Sequence, residues 1–132
     1  MNKIEYSSLN AKQKENYNFA KIGAILANYG YNCIKLADDW NGADFIALHL
    51  NGEDLKVQLK GRVTINKKYL GKNLYIAFPH RGEWYVYPHD PLVDYVESNT
   101  NWLRTTSWTE NGFYHAGTLS KNLKSFLDSY RL

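Results

Sequence analysis

The chain has 132 residues, a formal net charge of +3 and one cysteine. That length is one domain, 1–132, with one sizeable core, and so small a charge excess decides nothing about partners. Cys33 alone forms no internal disulfide, no window approaches a membrane span, and Met1–Glu5 has no apolar signal core, so the expected location is the cytoplasm.

Asn10 to Asn28 reads as a helix. Asn10 is the N-cap, followed by good helix formers. Phe19, Ile22, Ile25, Leu26 and Tyr29 recur at helical spacing, and Glu15 leans toward that apolar stripe. Gly30 stops the helix. Tyr31 to Ala37 reads as a strand, with Cys33 an inert thiol in its apolar run. Asp38 to Gly42 reads as a loop with Trp40 at its tip. Ala43–Leu50 and Leu55–Gly61 read as a hairpin around Asn51–Gly52.

Val63 to Asn73 is basic and irregular, with room for a short turn around Asn66–Leu70. Leu74–Phe78 and Glu83–Tyr87 are strands around Pro79–Gly82. Asp90–Pro91 reads as a helix start, an N-cap followed by Pro at the first helical position, and that helix runs to about Ser98. Asn99–Asn111 reads as a loop, Gly112–Ala116 as a strand, and Leu119–Tyr130 as an amphipathic helix. The order predicts an α+β (mixed α/β) fold, with a central mixed β-sheet flanked by helices.

Charge is unevenly placed. Ala37 to Leu55 holds Asp38, Asp39, Asp44, Glu53 and Asp54 and no Lys or Arg. Leu55 to Gly82 holds Lys56, Lys60, Arg62, Lys67, Lys68, Lys72 and Arg81 and no Asp or Glu. A metal ion needs the first block and a phosphate backbone needs the second. A solvated surface of uneven charge is the plainer alternative.

Where the blocks meet, Asp44 opens one apolar strand, and Gln58 and Lys60 lie two apart on the next, hence on one face. Mg²⁺ takes hard oxygen ligands and one or two carboxylates. Asp44 supplies a carboxylate, Gln58 an amide oxygen, and Leu59 its carbonyl. Lys60 then sits beside the attacking water or the phosphate. There is a condition. A two-residue Asn51–Gly52 loop would pair Asp44 with Leu59 and turn it away from Gln58 and Lys60. A three-residue loop ending in Glu53, or a bulge near Asp44, removes the conflict.

Gly42-Ala43-Asp44-Phe45-Ile46-Ala47 and Val57-Gln58-Leu59-Lys60 resemble the PD-(D/E)XK nuclease superfamily, over roughly Asn10 to Arg62. That family has a helix before a strand meander, an Asp opening the second strand, an acid-x-Lys triplet on the third, and often a Glu from the first helix. Here those positions are Asp44, Gln58-Leu59-Lys60 and Glu15. Ala43 stands where the family has Pro, and Gln58 where it has an acid. The resemblance implies a restriction endonuclease-like core, in which the crossover helix follows the extra hairpin Leu74–Tyr87. It also implies a metal-dependent endonuclease that hydrolyses DNA with Mg²⁺ or Mn²⁺, with Asp44, Gln58, Lys60 and Glu15 catalytic and Asp44, Gln58 and Leu59 on the metal. Arg62, Lys67, Lys68 and Lys72 are the expected phosphate contacts. So small a chain has little surface for both strands of a duplex, so a homodimer or higher homo-oligomer is expected.

Two other classes remain. One is a catalytically inactive nucleic-acid-binding module on the same fold. The other is a protein–protein interaction domain using exposed aromatics. Trp40, Trp84, Trp102, Trp108 and the tyrosines could stack unpaired bases, although such residues more often build a core. His49, His80, His89 and His115 have no metal spacing and read as surface or core residues.

Overall fold

The first helix is fixed by its cap. In the computed structural model, which describes residues 1–132, Asn10 Oδ1 accepts from Gln13 N–H and Gln13 Oε1 accepts from Asn10 N–H, each at 2.9 Å. This reciprocal box starts α1 (Ala11–Ala27). Ile22 and Leu26 are buried, whereas Tyr29 is 50% exposed and falls outside the stripe. Glu15 is also exposed, not turned into the apolar side as its spacing predicted.

The strands β1 (Tyr31–Trp40), β2 (Ala43–His49) and β3 (Leu55–Leu59) form an antiparallel meander. The short β4 (Thr64–Asn66) follows, then β5 (Leu74–His80), parallel to β3, and β6 (Glu83–Pro88), antiparallel to β5. The main sheet has the order β1-β2-β3-β5-β6. The helices α2 (His89–Asn99) and α3 (Thr106–Asn111), the strand β7 (Phe113–His115) and the helix α4 (Lys121–Leu127) complete the chain. β7 pairs with β4 in a separate two-stranded sheet. The fold is α+β, a five-stranded mixed sheet flanked by helices, as the sequence predicted. No helix is long and apolar enough to cross a membrane.

Strand alternation divides the interior into two cores. Ala77, Trp84 and Val86 pack with Phe45 and Val57 toward Ile22 and Leu26 of α1. Ile76, Phe78, Tyr85 and Tyr87 face the other way, toward Leu92 and Val96 of α2 and Leu123 and Leu127 of α4. At about 1.5–3 kcal/mol for each large apolar side chain buried, both faces contribute to stability.

Five local features differ from the sequence expectation. Asp38–Gly42 is not an open loop: β1 continues to Trp40, which pairs with Ala43, and the turn is Asn41–Gly42, with φ of 52° and 86°. Asn-Gly suits that left-handed pair. A Cβ on Gly42 would lie 3.1 Å from the Tyr69 ring and 3.2 Å from Leu74, so packing also requires glycine. The crossover from β3 to β5 precedes the Leu74–Pro88 hairpin and carries β4 and a 3-10 turn (Lys67–Tyr69), with no helix of the α type. Asp90 is not an N-cap: α2 begins at His89 after Pro88, and Asp90 Oδ2 instead accepts from Gly71 N–H at 2.9 Å. Asn99–Asn111 holds a 3-10 turn and α3, capped by Thr105 and ended by Gly112 at φ 79°. The final amphipathic segment starts later, at Lys121 behind the Ser120 cap, and its last turn, Asp128–Tyr130, tightens to 3-10.

Candidate active site

The β2–β3 register decides whether a site exists. Phe45 pairs with Val57, Ile46 with Lys56 and Ala47 with Leu55. One further step puts Asp44 opposite Gln58, on the same face. Run toward the turn, this register leaves Leu50-Asn51-Gly52 as the connection, closed by Gly52 N–H donating to His49 O at 2.9 Å. The three-residue loop is therefore present, one residue earlier than expected. On its other side Asp44 faces an irregularity in β1, where the register shifts between Lys35 and Trp40. Beyond Phe45–Val57 the regular ladder stops, and Leu59 N–H donates to Asp44 Oδ2 at 2.8 Å. Asp44 thus stands where the two strands part.

Asp44, Gln58, Leu59 and Lys60 line a cleft of about 430 Å³, together with Glu15, Asn18, Tyr6 and Gly61. Gln58 is buried, and its Oε1 has no hydrogen-bond partner, while its Nε2 makes a long 3.5 Å contact to Leu59 O. A buried acceptor without a donor is a rare and unfavourable arrangement. Glu15 borders the cleft from α1, but its carboxylate is engaged by Lys12 at 3.6 Å and Lys35 at 3.4 Å. No three His, Cys, Asp or Glu side chains cluster closely enough to hold a metal by themselves.

The electrostatics follow from that placement. Burial pushes the Asp44 carboxyl above the usual aspartate range, the Glu15 charge adds to this, and the Leu59 N–H opposes it. Burial and the Lys68 charge pull the Lys60 ammonium below the usual lysine range, against the attraction of Asp44 and Asp39. Lys60 and Lys68 share one support: their Nζ atoms lie 5.8 Å and 5.3 Å from the centroid of Tyr69. Burial, with Asp44 and Asp39, raises the Tyr69 phenol to about 12, so it stays neutral beneath both cations.

Neither a family model nor a curated protein matches this chain. Its structure is similar to that of a bacterial homing endonuclease, I-Ssp6803I. The match covers 92% of this chain and 86% of that chain, with 18% identity and a TM-score of 0.48.

The expected phosphate contacts divide. Lys68 joins Lys60 over Tyr69, and Arg62 lines an adjoining cavity that shares Gly61 with the cleft. Lys67 points to α3, its Nζ 5.4 Å from the Trp108 ring, and neither it nor Lys72 lines the cleft. Tyr69, Asn18 and Tyr6 were not singled out from sequence. Tyr69 follows two lysines in an irregular segment, and only the fold places it under Lys60. Asp39, counted only as part of an acidic block, holds the approach to Asp44 by accepting from Gly42 N–H at 2.7 Å.

Proposed function

We propose that the protein is a metal-dependent endonuclease of the PD-(D/E)XK type, which hydrolyses DNA phosphodiester bonds at the Asp44–Gln58–Lys60 cleft. The observation that carries this reading is the orphaned Gln58 Oε1, buried beside the Asp44 carboxylate where β2 and β3 part. A carboxylate, an amide oxygen and the Leu59 carbonyl are hard donors that fit Mg²⁺ or Mn²⁺, with water completing the shell. Such an ion, when bound, lowers the pKa of water and offsets charge developing on the phosphate.

The chain's own groups do the rest. Asp44 lines the cleft and is held at Oδ2 by the Leu59 N–H, which leaves its other oxygen for an ion. Lys60 is half-buried and anchored over Tyr69, which fixes its ammonium beside the scissile phosphate and the attacking water. Lys68 and Arg62 extend the positive surface along a phosphate backbone. Glu15 is a positioning residue here: it anchors Lys35 and adds negative charge near Asp44. The protein acts on DNA as a homodimer or higher homo-oligomer.

The second reading, a DNA-binding module without catalysis, is favoured by one observation. Asp44 is the only carboxylate in the cleft free of lysine ion pairs, because Glu15 is held by Lys12 and Lys35. Cleavage assays on duplex, branched and single-stranded DNA with Mg²⁺ or Mn²⁺ separate the two. Metal-dependent cleavage that Asp44→Ala abolishes supports the nuclease. DNA binding with no cleavage by wild type or by Gln58→Glu supports the module.

A further inference from the structure

Next to the cleft lies a second groove of about 580 Å³, lined by Tyr6, Tyr17, Lys21, Pro79, Gly82 and Trp84, with Asn18 and Gly61 between the two. It is continuous with the first, since Tyr6, Asn18 and Gly61 border both. Its size suits a small organic group. None of its lining residues is acidic.

Two of the aromatics are not core residues. Tyr6 and Tyr17 are each 43% exposed, yet their rings are ordered against one another, 5.2 Å apart and inclined at 57°. Asn18 Nδ2 donates to the Tyr6 hydroxyl at 2.9 Å and fixes the ring. Each ring also carries a cation: Lys14 Nζ is 5.3 Å from the Tyr6 centroid, and Lys21 Nζ is 5.3 Å from that of Tyr17. An exposed aromatic pair with a lysine on each ring, opening from a phosphate-sized cleft, is complementary to a nucleotide. The ring faces suit a base, and the flexible ammonium groups suit the flanking phosphates.

We propose that this groove binds an unpaired nucleobase, stacked on Tyr6 or Tyr17, of a DNA strand whose phosphate lies in the Asp44–Lys60 cleft. This rests on the nuclease reading for the position of the phosphate. It adds that the substrate is single-stranded or locally unpaired next to the cut. Stacking tolerates any base, so the preference is for structure, not sequence. Entry of the base displaces Lys14 or Lys21 from the ring face toward the backbone.

The test compares two labelled strands of equal length, an oligothymidylate and an abasic strand, by fluorescence anisotropy with the full chain in EDTA. The oligothymidylate should bind on the order of tenfold more tightly. Tyr6→Ala with Tyr17→Ala should erase that difference, whereas Tyr6→Phe with Tyr17→Phe should keep it. Both rings are exposed, and an unchanged melting temperature will show that the fold is intact. Equal affinity for the two strands, binding to neither, or a preference that survives both alanines would overturn the proposal. So would loss of self-association in the alanine variant without any base preference, which would assign the groove to a second copy. The readout involves neither metal nor cleavage, so equal affinity for the two strands leaves the Asp44 site standing. Conversely, an inert Asp44 site would leave the base preference intact.

Discussion

Two polar clusters flank the β3–β4 connection, and they are built on opposite terms. Around β4 every buried side-chain polar atom has a partner. The Tyr87 hydroxyl accepts from Thr64 N–H at 2.9 Å and donates to Thr64 O at 2.8 Å. His89 Nε2 accepts from Asn66 N–H at 3.0 Å, which leaves the proton on Nδ1 to donate to Asp90 Oδ1 at 2.8 Å. In the cleft, by contrast, the Gln58 Oε1 is buried and alone, and Asp44 and Lys60 both have pKa values moved against their charged forms. A saturated network holds the backbone in one place. An unsaturated one costs stability and is retained where something else supplies the missing contacts.

That contrast makes opposite predictions for mutations of similar size. The largest effect should be on chemistry: Asp44→Ala should lower metal-dependent cleavage about a thousandfold, the equivalent of several kcal/mol of lost charge stabilisation. Next comes the stability of the saturated cluster. His89→Ala should cost about 2–4 kcal/mol in urea unfolding, from a cavity plus an unpaired Asn66 N–H. Tyr87→Phe should cost about 1–3 kcal/mol by stranding both backbone groups of Thr64. Gln58→Leu, in the other cluster, should leave stability unchanged or raise it, since it removes an unsatisfied acceptor. A large loss in Gln58→Leu would erase the distinction between the clusters.

The pH dependence sharpens the same contrast. Burial pulls the His89 imidazole below the usual histidine range, so the native state takes up its proton later than the unfolded chain. Stability from His89 is therefore present above the unfolded value of about 6.5 and falls as pH drops toward the folded one. Asp44 runs the opposite way. Its raised pKa means that the native state binds more protons than the unfolded chain above about pH 4, so ionisation of Asp44 destabilises the fold as pH rises. Asp44→Asn should accordingly melt higher than wild type at neutral pH and converge with it in acid. The smallest effect is on affinity. Each of Lys67 and Lys68 replaced by Ala should flatten the log–log salt dependence of duplex binding by about 0.9 if it touches a phosphate. Lys67 sits over Trp108 and away from the cleft, so a flattening confined to Lys68→Ala is the sharper expectation.

Much of the frame was legible in the sequence. Asn10, the period of Ile22 and Leu26, and the strand alternation through Phe45–Ala47 and Leu74–Phe78 are local signals, and local signals give elements. The convergence of Asp44 with Gln58 hung on a register that depends on one residue of turn, which composition around Asn51–Gly52 does not settle. The crossover differs from expectation because Thr64 and Ile65 look irregular until β7, 47 residues further along at its nearest pairing, Asn66 with Phe113, supplies a partner. Asp90-Pro91 carried the local signature of a helix start. A tertiary contact with Gly71 and the adjacent His89 claim the Asp90 carboxylate, and the helix begins two residues earlier, at His89. Glu15 was misjudged for a related reason: its spacing fits the stripe, but two lysines hold it at the surface.

Titration of the protein with Mn²⁺, followed by electron paramagnetic resonance, addresses the cleft most directly, because it needs neither DNA nor turnover. Wild type should bind one ion per chain, Asp44→Ala none, Gln58→Leu more weakly, and Gln58→Glu more tightly as a second carboxylate is added. Lys60→Ala should leave binding largely intact. If Gln58→Leu binds Mn²⁺ as wild type does, the orphaned oxygen of Gln58 is not a metal ligand; if no variant alters binding, the cleft is not the site.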